Sequence, residues 1–213
     1  MSFQVSEVTN KWGQPSHSTP VPPQHFRKYA GQVPDYLLDL WRHLGFAGFQ
    51  KGMLWLCDPE KWQPAVDEWT SGIDLPFGQD RWVAVTRSAF GDMTLWGERT
   101  GLSLTVTPYR GWIFPVDGSG EMSDDFDRDL QILASLLSKD QDTFDPTGDD
   151  NKPLFKRLLK DLGPVGPDTM YGFVPTLALG GSMLPSHVEI VDADVHMQIL
   201  SQTTHRIVMN NPY

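Results

Sequence analysis

Leu37, Leu40, Trp41 and Leu44 recur at i, i+3, i+4 and i+7, the spacing of a helix with one apolar face. Pro34 suits the first helical position and Gly45 the stop, so the pattern predicts a helix over 34–45. A shorter helix is predicted over 24–29. Residues 53–57 form a brief apolar run that reads as a buried strand. Asp58 then caps a helix that has Pro59 at its start and carries Trp62, Val66 and Trp69. Four apolar stretches, 81–90, 93–99, 102–108 and 111–114, are separated by Gly91-Asp92, Thr100-Gly101 and Arg110-Gly111. Connections this short suit an antiparallel meander and leave no room for crossover helices.

Beyond the meander the pattern becomes mostly helical. Ser123 is placed to cap a helix reaching about 138, with Phe126, Leu130, Leu133 and Leu137 on one face. A loop over 140–151, a helix over 153–162, a Gly-bounded apolar segment over 170–181, a strand over 188–191 and a last helix over 192–203 follow. The proline-rich residues 13–23 read as extended chain. All eight tryptophans fall in the first 112 residues, so a boundary is placed near Pro115. The predicted organisation is an extended arm over 1–23, a unit over 24–115 with helices packed on an antiparallel meander, and a smaller, mostly helical unit over 116–213. The class is α+β.

Composition narrows the setting. The chain has 213 residues, ample for a sizeable core, and 39% hydrophobic content is ordinary for a globular protein. No window approaches the ~20 apolar residues needed to span a bilayer, so no membrane partner is expected. The first residues lack a basic segment followed by an apolar run, so no secretory leader is expected. Cys57 is the single cysteine, which fits a reducing compartment, and a bacterial cytosol is the expected address. A sequence pI near 4.9 argues against nucleic acid as a partner.

The charge is concentrated. Between Asp117 and Asp150 lie eleven carboxylates against Arg128 and Lys139, a local balance of −9 in a chain of net charge −10. Crowded like charges oppose compaction, which points to a cation-rich partner outside the fold. Asp124, Asp125, Asp140, Asp142, Asp145, Asp149 and Asp150 are the candidate partner-binding carboxylates, with Phe144 as a possible anchor among them. Asp125, Asp127 and Asp129 imitate the start of a calcium loop, but Leu130 and Leu136 stand where that loop needs Gly and Glu. An acidic first helical turn explains them more simply.

Asp192, Asp194 and His196 lack the spacing of a metal set, and Asp192 reads as a helix cap. No nucleophile elbow, phosphate loop or dinucleotide fingerprint is present, and Cys57 reads as a core residue. No cofactor, metal or catalytic residue is expected.

Gly91-Asp92-Met93-Thr94-Leu95-Trp96-Gly97-Glu98-Arg99-Thr100-Gly101, followed by Trp112-Ile113-Phe114, resembles the GAD-like domain. The run from Met170 through Gly181 (MYGFVPTLALGG), with Val195-His196-Met197-Gln198-Ile199-Leu200, resembles the small domain that follows it in type VI secretion immunity proteins. The resemblance implies a cytosolic inhibitor of an antibacterial DNase effector, of the GHH nuclease class among others. It implies binding without turnover, and it assigns no contact residues. Two other readings stand beside it. The GAD name comes from domains of aminoacyl-tRNA synthetases and tRNA amidotransferases, which would make the chain an accessory to tRNA chemistry. The alternative is a small hydrolase using paired carboxylates.

Overall fold

The computed structural model describes residues 3–209. Its centre is an eight-stranded sheet: β1 (His17–Thr19), β2 (Phe46–Phe49), β3 (Leu54–Leu56), β4 (Trp82–Ser88), β5 (Met93–Gly97), β6 (Gly101–Thr107), β7 (Trp112–Pro115) and β10 (Ile207–Val208). The strands lie side by side in that order. Every neighbouring pair is antiparallel except β10, which runs parallel to β7. The expected α+β class and the meander are both present. A separate antiparallel pair, β8 (Thr169–Phe173) and β9 (Val188–Asp192), gives the C-terminal part strands as well as helices.

Seven α-helices cover the sheet among the described residues: α1 (Val5–Trp12), α2 (Pro23–Tyr29), α3 (Asp35–Leu44), α4 (Pro59–Thr70), α5 (Asp125–Leu137), α6 (Phe155–Asp161) and α7 (Ala193–Thr203). They lie on both faces, which follows from the side-chain alternation of a strand. Val83 and Val85 of β4 join one core with residues of α1, α3, α5 and α6. Trp82 and Ala84, pointing the other way, join a second core with residues of α4 and α7. A strand covered on both sides has no solvent-facing side, and all seven β4 residues are buried, Thr86, Arg87 and Ser88 included.

Both cores mix residues from either side of Pro115, and β10 returns to the sheet of the first half. Helix α5 seals this union. The Trp12 indole donates to the carbonyl of Leu136 (2.8 Å), and the Tyr36 amide donates to Asp129 (2.8 Å). Residues 5–12, read from sequence as part of an extended arm, form a helix whose Val8 and Trp12 are buried. Residues 17–19 of that arm pair with β2.

Candidate functional site

The acidic stretch does not form one surface. Helix α5 separates its two clusters, and 13 residues at 1.5 Å each put them about 20 Å apart. Most of the carboxylates are occupied inside the fold. Asp124, rather than Ser123, caps α5 by accepting from the Asp127 amide (2.9 Å). Ser123 donates to the Asp127 carboxylate, and Asp129 holds α3, so the calcium-like triplet faces three different partners. Asp125 is exposed, and its nearest cation is Arg128 at 3.7 Å.

At the other end Asp140 caps the turn Gln141–Phe144 and meets the Lys11 ammonium at 2.5 Å. Asp145 accepts from the amides of Leu154 (2.8 Å) and Phe155 (2.7 Å), satisfying the open N–H groups at the start of α6. Partial burial raises the Asp145 pKa, and the two amides oppose that shift. Asp149 accepts from the Met183 amide (2.9 Å), while its own amide donates to the Met183 carbonyl (3.0 Å). Asp150 forms a two-pronged pair with Arg157 at 2.8 and 3.0 Å, which lowers its pKa. Asp142 is exposed and makes no side-chain bond among the described residues.

Phe144 is not a presented anchor. It is 7% exposed and packs edge-on against Trp12 at 5.6 Å, with the Lys139 ammonium 5.6 Å from its ring. An aromatic in a polar loop reads as exposed from sequence, but here the loop folds back on α1 and buries it.

Outward-facing apolar groups lie at several other places, Leu179, Val195 and Val116 being the most exposed, and two of them are on α5. Phe126 and Leu130, one turn apart on α5, are 43% and 41% exposed, while Ile132, Leu133 and Leu136 face the core. Apolar residues at 126, 130, 132, 133, 136 and 137 cover more than one helical face, so some must point outward. That surplus was the available signal. Phe126 follows Asp124 and Asp125 at the start of α5 and packs against Phe3 at 5.1 Å, and Leu130 lies one turn further along the same face.

The remaining candidates have local roles. Cys57 is buried in the second core, and burial pushes its thiol up to about 12, far from a reactive thiolate. Asp192 caps α7 through the Val195 amide (2.9 Å), and Asp194 is exposed. His196 is buried against Gly172, where desolvation lowers its pKa. No group of three His, Cys, Asp or Glu side chains among the described residues is arranged to hold a metal. No helix among the described residues is long and apolar enough to cross a membrane.

Comparison with known proteins places this geometry in context. The GAD-like domain family matches residues 4–110, half of the chain. The family described as T6SS immunity protein Tdi1, C-terminal, matches residues 132–204. The crystal structure of Atu4351 from Agrobacterium tumefaciens superposes with a TM-score of 0.88 at 23% identity, covering 99% of this chain and 94% of that one. At that identity the likeness establishes the shared fold. No curated protein matches in sequence.

Proposed function

Because this chain belongs to the GAD-like domain family, and its Tdi1 C-terminal match supports a type VI secretion immunity protein, we propose that it binds a cognate DNase effector in the bacterial cytosol and silences it without turnover. The observation that carries this reading is the immunity-domain match over residues 132–204. A DNase needs a cationic groove for phosphates. Fixed carboxylates seated in such a groove steer encounter and exclude substrate without chemistry. Protection from a lethal enzyme calls for a nanomolar Kd or tighter, about −12 kcal/mol.

The docking surface in this reading is the start of α5, with Phe126 and Leu130 as apolar anchors and Asp124 and Asp125 as the charged rim; Asp142 is a second free carboxylate. Asp140, Asp145, Asp149, Asp150 and Phe144 then serve the scaffold that holds this surface. The test is the double substitution Asp125→Lys with Leu130→Asp, followed by affinity for the effector. The expected loss is roughly 2–5 kcal/mol with a shallower salt dependence. Unchanged affinity and salt dependence would remove this surface from the interface.

A further inference from the structure

A cationic groove lies on the side of the molecule where β1 meets α6. The eight lysines of the chain divide into two sets. Lys11, Lys28 and Lys61 each hold a carboxylate, and Lys139 donates to Thr94. Lys51, Lys152, Lys156 and Lys160 are exposed and make no ion pair or side-chain hydrogen bond among the described residues. Lys156 and Lys160 are four apart on α6 and share a face, and Lys152 lies just ahead of that helix.

Lys51 stands across from them. It lines a groove of about 500 Å³ with His17, Trp55, Leu159, Pro164 and Val165. It also lines an adjoining hollow of about 170 Å³, whose other walls include Phe155, Lys156 and Leu159. Lys51 is held there by an unusual backbone: Gln50 and Lys51 are consecutive non-glycine residues in the left-handed region, with φ of 49° and 60°. The Gln50 side chain fixes the bend by donating to the Trp12 carbonyl (2.7 Å). Strain of this kind concentrates where a side chain must be presented.

In a chain of net charge −10, Lys51 lines both adjoining hollows and Lys156 the second, with Lys160 one turn further along the same face of α6. We propose that this groove binds an extended acidic polypeptide segment, whose carboxylates meet Lys51, Lys156 and Lys160 while apolar side chains rest against Leu159 and Pro164. The charge of the patch selects an anionic occupant. The acidic remainder of the chain repels a long polyanion such as nucleic acid, whereas a short acidic segment stays within the patch. The site is separate from the start of α5 and does not depend on the effector reading.

The test uses the full chain and a fluorescein-labelled peptide of alternating glutamate and leucine, with anisotropy read at about 50 mM salt, where screening is modest. The groove predicts saturable binding with a Kd below about 100 µM. The triple substitution Lys51→Glu, Lys156→Glu and Lys160→Glu should weaken it at least about tenfold. All three side chains are exposed, and an unchanged Tm confirms that the variant is folded. A single-stranded DNA of equal charge should bind more weakly than the peptide. Absence of peptide binding, equal binding by the triple variant, or tighter binding of the DNA would overturn the proposal.

Discussion

Arg87 donates from Nη2 to the carbonyl of Gly166 at 2.8 Å, tying the central strand β4 to the chain that leads into β8. The same nitrogen reaches the carbonyls of Pro167 and Thr169, each at 3.3 Å, and Nη1 donates to Ser88. The guanidinium lies 4.9 Å from the Trp55 ring centre and 5.1 Å from that of Trp62. Desolvation lowers its pKa to about 10, still well above neutrality, so the clamp is charged under ordinary conditions. Arg87→Met leaves buried carbonyls without a donor and is expected to cost about 3 kcal/mol in urea unfolding. Arg87→Lys should recover little, since an ammonium lacks the planar fork that spans these acceptors.

The acidic stretch separates into scaffold and free carboxylates, and stability measurements distinguish them. Asp145→Ala removes the acceptor for the Leu154 and Phe155 amides and should cost about 1–2 kcal/mol. Asp142→Asn, at an exposed position without a side-chain bond, should stay within about 0.5 kcal/mol of the parent. Chemical denaturation of both variants at neutral pH checks the contrast.

Phe144→Ala is expected to destabilise the fold by about 3–5 kcal/mol, the range for emptying a buried aromatic site. Affinity for a partner, measured well below the variant's melting temperature, should be unchanged. A fall in affinity with stability intact would return Phe144 to the interface.

His196 sets a pH dependence. Burial lowers its folded pKa below the ordinary histidine value of about 6.5, so in that range the unfolded chain binds more protons than the folded one. Stability from keeping this ring neutral is therefore full above the unfolded pKa and is lost as pH falls from there toward the folded value. Urea midpoints at pH values on either side of 6.5 should show a drop on acidification that His196→Leu reduces.

What could be read from the sequence depended on how local the signal was. The meander was legible because Gly91, Gly101 and Gly111 punctuate it, and each adopts a positive φ. The caps Asp58 and Asp192 were legible because a cap bonds within its own first turn. Strand β2 was not, since Phe46–Phe49 lacks alternation. Its Gly48 is required by a distant residue: a Cβ there would fall 2.6 Å from the Trp55 ring. Helix α1 was missed because its apolar content is thin and its burial is supplied by α5, more than a hundred residues away. The charge of the acidic stretch was plain, but its use was not. Asp145 bonds amides nine and ten residues onward, and Asp149 bonds one 34 residues away. Those separations also explain why so many carboxylates are tolerated together: most of them face an N–H group or a cation.

The most direct measurement adds this purified protein to a type VI DNase effector of the same cell and follows DNA cleavage against the molar ratio of the two. The immunity reading predicts that cleavage falls linearly and ends near one equivalent, as expected for a complex of nanomolar Kd or tighter. Cleavage that continues undiminished with the protein in large excess would contradict it.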